Sequence, residues 1–109
     1  MIQEITTLDG LRTALAEQEH AVVDFAAPDW CVPCQKFAPH YEAVSEVVEG
    51  FTFVHVDIDK ADKDLVEFYS VQSVPTVLAF RDGEVIEFID KAFHTAPKLT
   101  RKLNSLFKE

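Results

Sequence analysis

Two stretches of this chain are apolar at consecutive rather than alternate positions, and they limit the fold more than any other feature. Ala21-Val-Val-Asp-Phe-Ala-Ala27 runs up to Pro28, and Phe51 to Ile58 reads FTFVHVDI. A strand with one wet face alternates apolar and polar residues, whereas a strand covered on both faces has no need to. Both stretches fall well short of the roughly 20 apolar residues that span a bilayer. They predict central strands of a sheet with helices packed on both sides.

The rest of the chain supplies those helices and the sheet's edges. Leu8, Leu11 and Leu15 recur at helical spacing between Thr7 and Gln18, with Thr7 as N-cap and Gly10 as a weak point. From Pro33 to Val48 the pattern is helical, with Phe37, Tyr41, Val44, Val47 and Val48 near one face. Pro39 inside it removes a hydrogen bond and should kink it. Asp62 to Tyr69 makes a short helix through Leu65, Val66 and Phe68. Thr76–Phe80 and Glu84–Ile89 read as strands joined by Asp82-Gly83, a strong hairpin signal. Pro97 opens a last helix carrying Leu99, Leu103, Leu106 and Phe107, and Met1 to Thr6 is a candidate edge strand. The order is (β)αβαβαββα. Alternating strands and helices predict parallel pairing, and the hairpin adds an antiparallel edge. The expected architecture is α/β in three layers, a central mixed sheet of four to five strands flanked by helices on both faces. With 109 residues and no linker, low-complexity run or repeat, residues 1–109 are expected to form one domain.

Charge narrows the partners. Ten Lys and Arg against nineteen Asp and Glu give a formal net charge of −9. That field repels nucleic acid and anionic membrane, so neither is expected as a partner. Excess acid also simply keeps a small protein soluble. The chain begins without a basic segment followed by an apolar one, so a cytoplasmic location is expected.

The cysteines are the sharpest feature. There are only two, Cys31 and Cys34, within Trp30-Cys-Val-Pro-Cys34, where a predicted strand gives way to a helix. Helix N-terminal N–H groups and the helix dipole stabilise a thiolate, so the first cysteine's pKa should fall below the free value of roughly 8.5. The second lies one turn along, close enough to close a short disulfide. Pro33 in the first turn lacks only an N–H that would be unpaired anyway. A zinc site needs further ligands, but there is no second CxxC, and His20, His40, His55 and His94 are scattered. No metal is expected. A purely structural disulfide closing so small a loop would add little. Redox chemistry is the better reading.

The chain resembles the thioredoxin family over nearly its whole length. The resemblance rests on Val23-Asp-Phe25, Trp30-Cys-Val-Pro-Cys34, Ala38-Pro39, Val56-Asp-Ile-Asp59, Val74-Pro-Thr76 and Phe80-Arg-Asp-Gly-Glu84, in this order and spacing. It implies the thioredoxin fold. It implies that Cys31 attacks a substrate disulfide and that Cys34 resolves the mixed disulfide. Asp24 matches a buried carboxylate thought to take or relay the second cysteine's proton. Its apolar neighbours Val22, Val23 and Phe25 should raise its pKa by desolvation. Pro75 matches a cis-proline facing the cysteines. Val74 would pair its backbone with substrate as a short β-addition, with Thr76 beside it. Trp30, Val32 and Pro33 would form the apolar rim; a half-buried core role for Trp30 stays open. No cofactor would be bound. Electrons would come from NADPH through a thioredoxin reductase to disulfide-containing protein substrates, with a monomer the simplest expectation.

Four positions depart from the commonest family pattern. Val32 stands where glycine is usual, and a stiff β-branched residue there shifts the redox potential by an amount of unassigned sign. Ala26-Ala-Pro-Asp29 is one residue longer than usual, and its Asp29 brings a negative charge toward Cys31. His55 stands where many relatives carry lysine and is expected beside Asp24 as a coupled pair, with a neutral core histidine the plainer alternative. Lys91-Ala92 replaces a small glycine-containing stretch, narrowing the partner range or favouring acidic substrates. Three functions therefore stand: a general protein-disulfide reductase; a specialised relative that serves one partner, oxidises or isomerises; and a non-redox binding module.

Overall fold

The computed structural model describes residues 1–107, without the side chain of Phe107, so that residue's place on the last helix's apolar face lies outside the described residues. The elements are β1 (Ile2–Glu4), α1 (Leu8–Leu15), β2 (His20–Ala26), α2 (Val32–Val47), β3 (Phe51–Asp57), α3 (Lys63–Phe68), β4 (Thr76–Arg81), β5 (Glu84–Ile89), a 3-10 turn over Lys91–Phe93, and α4 (Ala96–Phe107). They form a five-stranded mixed sheet in the order β1-β3-β2-β4-β5. β1 and β2 both run parallel to β3, β4 runs antiparallel to β2, and β5 antiparallel to β4. This is the thioredoxin fold.

The two consecutive apolar stretches lie at the centre of the sheet. β2 is buried at every position, and β3 at every position except His55. Two cores follow from the strand alternation. Val22, Phe51, Phe53 and Val77 meet Phe37, Tyr41 and Val44 of α2 and Leu99 and Leu103 of α4 on one face. Ala21, Val23, Phe25, Val54 and Val56 meet Leu11 and Leu15 of α1 and Leu65 of α3 on the other. Each fully buried leucine removed from water contributes roughly 1.5–3 kcal/mol.

Local chemistry accounts for the ends. The Thr7 hydroxyl accepts from the Gly10 N–H at 3.0 Å and caps α1. A Cβ on Gly10 would meet that hydroxyl oxygen at 2.8 Å, so the residue that weakens the helix also lets the cap close. The hairpin has Asp82 at φ 51° and Gly83 at φ 82°, as a two-residue type I′ turn requires. α1 ends at Leu15, short of the Gln18 that periodicity suggests, and α2 continues through Pro39 to Val47. The 3-10 turn was not legible as periodicity. Asp90 makes it by accepting from the Ala92 N–H at 2.9 Å.

Candidate active site

The cysteine pair sits where β2 hands over to α2. Past Ala26 the chain turns sharply, and the Ala27 carbonyl accepts from both the Trp30 and Cys31 N–H groups, at 3.2 and 2.9 Å. The Gln35 side chain donates to the Pro28 carbonyl at 2.8 Å and ties this longer loop to α2. Cys31 is the N-cap of α2, with Sγ accepting from the Cys34 N–H at 3.2 Å. That is the geometry in which backbone N–H groups stabilise sulfur carrying negative charge. The two cysteines are joined as a disulfide, with Cα atoms 5.2 Å apart and both side chains nearly buried. Val32 and Pro33 are exposed beside them.

Two rims flank the sulfurs. The Val74–Pro75 peptide bond is cis, and the Val74 carbonyl lies 3.8 Å from Cys31 Sγ. Thr76 opens β4, and its hydroxyl donates to the Ser73 carbonyl at 2.6 Å. On the other rim Trp30 is 60% exposed, its indole N–H donating to the Asp59 carboxylate at 2.8 Å. It belongs to the surface around the thiols and not to the core. Asp29 is exposed in the same loop.

Below the sulfurs lies a row of ionisable groups. Val22, Asp24 and Ala26 share one face of β2, and Ala26 packs against both cysteines. Asp24 is therefore two residues beneath that contact. In register it faces His55 of β3, which in turn faces Glu4 of β1. His55 Nδ1 meets the Glu4 carboxylate at 2.9–3.0 Å. Asp24 is buried, one carboxylate oxygen has no hydrogen-bond partner, and its pKa is raised from 3.8 to about 7. Burial is the largest cause; the His55 charge pulls the value down, and Glu4 pushes it up. A cavity of about 480 Å³, lined by Asp24, His55, Glu4 and Tyr41 among others, opens beside this row. The Tyr41 hydroxyl donates between the Val54 carbonyl at 2.7 Å and that of Val22 at 3.0 Å. Burial and the nearby Asp24 charge hold this phenol well above its ordinary pKa.

The structure thus brings Cys31, Cys34, Pro33, Val74 and Pro75 together, with only Pro33 of these exposed, and places Asp24 and His55 in the strands beneath. Reading the sequence missed Glu4, because nothing local shows that a three-residue edge strand will lie in register with His55. It also missed Tyr41 as a polar group, since its spacing marks only a core position.

The thioredoxin family model matches residues 4–105. The chain belongs to the thioredoxin family. Thioredoxin from Mycoplasmoides gallisepticum is 36% identical over 107 residues, covering 98% of this chain and 100% of that one. Thioredoxin-2 of Dictyostelium discoideum is 42% identical over 73 residues, which is 66% of this chain and 81% of its relative. Among solved structures, a mutant thioredoxin from Halobacterium salinarum NRC-1 is similar with a TM-score of 0.87 at 26% identity, over 99% of this chain and 92% of that one. This thioredoxin is a thiol–disulfide oxidoreductase, and Cys31 and Cys34 are its redox-active pair. The family needs no bound cofactor, and among the described residues no group of three or more His, Cys, Asp or Glu side chains is placed to hold a metal ion.

Proposed function

We propose that this thioredoxin is a general reductant of protein disulfides in the cytoplasm. It would act as a monomer formed by residues 1–109 and carry electrons from NADPH through a thioredoxin reductase. The Cys31 thiolate attacks one sulfur of a substrate disulfide. A Cys31–substrate bond forms, the substrate S–S bond breaks, and the departing thiolate takes a proton from solvent. Asp24 as carboxylate accepts the Cys34 proton. Cys34 then attacks Cys31, releasing the second substrate thiol. Two electrons pass to the substrate and one disulfide is left on this chain, for the reductase to open again. Val74 offers its backbone and Pro75 its ring to the substrate strand, with Trp30 and Val32 on the facing rim.

The observation that carries this reading is Cys31 Sγ as the cap of α2, 3.2 Å from the Cys34 N–H. Backbone N–H groups at that helix start favour the thiolate once the disulfide is opened. The test is insulin disulfide reduction with thioredoxin reductase and NADPH. The native chain should precipitate insulin B chains while Cys31→Ser does not. A reduction potential near about −120 mV instead of roughly −270 mV would make the chain an oxidant and defeat the proposal.

A further inference from the structure

We propose that the cleft beside the disulfide is a subsite for an acidic side chain of the substrate, so that this thioredoxin reduces disulfides flanked by Asp or Glu in preference to others. The proposal rests on the reductase reading above and adds the class of polypeptide it selects. The cleft has a volume of about 250 Å³ and shares Pro33 and Pro75 with the cysteine pair. A strand paired along Val74 therefore runs directly past its mouth. Its floor is the buried Phe37 ring, on which His94 stacks at 4.6 Å between centroids.

The charge around this cleft has one sign. Lys36 and Lys91 line it, both exposed, and no Asp or Glu does. Neither lysine forms an ion pair among the described residues. In a chain with nineteen acids and ten Lys and Arg, this cleft beside the sulfurs is bordered by two lysines and no acid, a local reversal of the overall charge. The neighbouring acid, Asp90, is turned to its own turn and accepts from the Ala92 N–H at 2.9 Å. The two histidines of the cleft are held by the backbone. His40 Nδ1 accepts from the Ala96 N–H at 2.9 Å, which leaves Nε2 to carry the proton. His94 Nε2 meets the Ile89 carbonyl at 3.1 Å, and burial holds its pKa below the ordinary value.

Across the disulfide the sign reverses. Asp29 is exposed next to Trp30, and Asp59 binds the indole. A substrate strand crossing the sulfurs thus meets negative charge on the Trp30 side and positive charge on the Lys91 side. Such a gradient selects and orients an acidic segment, mainly through its association rate. It also counters, at the one place where sulfurs must meet, the repulsion an acidic partner feels from a chain of net charge −9.

The test uses three otherwise identical disulfide peptides whose cysteines are flanked by Glu, Gln or Lys. Reduction by the pre-reduced chain is followed by stopped-flow fluorescence of Trp30, the single tryptophan. The Glu peptide should react about fivefold faster than the Gln peptide at low ionic strength, and the Lys peptide slowest. The ratio should collapse toward one at about 0.5 M salt. It should collapse likewise in a Lys36→Gln, Lys91→Gln double variant, while the remote Lys63→Gln keeps it. Equal rates for the Glu and Gln peptides, or a preference that survives the double variant, would overturn the subsite and leave the reductase reading standing. Failure to reduce any of the three peptides would remove both.

Discussion

The disulfide separates two sets of charges that the same sheet end positions but that water treats differently. Outside, Lys36, Lys91, Asp29 and Asp59 keep most of their hydration and act on approaching molecules through a screened field. Inside, Asp24 has lost its hydration, has one carboxylate oxygen without a partner, and has a pKa of about 7. On the proposed reading the outer charges would steer which polypeptide arrives at the sulfurs. On the same reading the inner carboxylate would accept the proton that leaves Cys34. Burial converts the same functional group from a recognition element into a proton acceptor.

The largest expected effect breaks the cycle between the two sides. Cys34→Ser keeps the outer surface and the Cys31 cap but removes the resolving sulfur. Turnover in the insulin assay should fall by about 10³-fold or more, and a covalent Cys31–substrate adduct should accumulate, visible on non-reducing gels. A scaffold that merely uses the fold would trap nothing.

The next prediction isolates the inner side. Asp24 has a folded pKa of about 7 against 3.8 unfolded, so between these values the folded state holds a proton that the unfolded state has lost. The native state is therefore unpenalised below about pH 4. It loses stability as pH rises toward 7 and stays at a constant disadvantage above that. A rise from 3.8 to about 7 corresponds to about 4 kcal/mol, an upper value because a variant side chain also needs partners. Asp24→Asn should be stabilised by up to that amount at pH 8 in urea unfolding, with the gain vanishing near pH 4. The same variant should resolve the mixed disulfide about 10²-fold more slowly. A variant more stable yet equally fast would show that the buried carboxyl has no part in proton transfer.

The two sides also differ in how much of them was legible beforehand. Asp24 could be read from the sequence because an acid between Val23 and Phe25 in a seven-residue buried strand has nowhere wet to go. Cys31 and Cys34 could be read because their spacing at a strand–helix junction has few other uses. His55 beside Asp24 followed from two parallel strands, and β2 and β3 do pair in that register. Glu4 did not follow, since pairing of an edge strand is decided by tertiary contacts and not by its three residues. The outer cleft was half legible. Lys91 stood out, but Lys36, His40 and His94 join it only because α2 and the segment before α4 converge over Phe37. The 3-10 turn that presents Lys91 depends on one Asp90 side-chain bond, which carries no periodic signal.

A smaller effect measures the bond between the two sides. The disulfide closes a loop between residues three apart in sequence, so it restricts the unfolded chain only modestly. The chain-entropy relation gives about 2 kcal/mol for a loop of this size. Urea midpoints should be higher for the oxidised form. The gap should be measured at pH 5 as well as pH 8. A gap that changes between the two pH values would show that opening the bond alters the Asp24 titration.

The finest test concerns the row Glu4–His55–Asp24, where two neighbours push Asp24 in opposite directions. His55 lowers the carboxyl's pKa and Glu4 raises it. Removing the cation in His55→Gln should move the Asp24 titration, read by carbon-13 NMR of the carboxyl, upward by about half a unit. Glu4→Gln should move it downward, but by less. Glu4 also holds His55 through the contact at 2.9 Å, so its loss frees the ring whose charge lowers the carboxyl's pKa. The direct and indirect effects of Glu4 therefore cancel in part. In the double variant only the direct loss of both charges remains. If the three residues titrate as one unit, its shift will differ from the sum of the single shifts. If the shifts simply add, each neighbour acts on Asp24 alone. If His55→Gln leaves the pH profile of disulfide reduction unchanged between about pH 5.5 and 8, the imidazole is only a packed neighbour of the carboxyl.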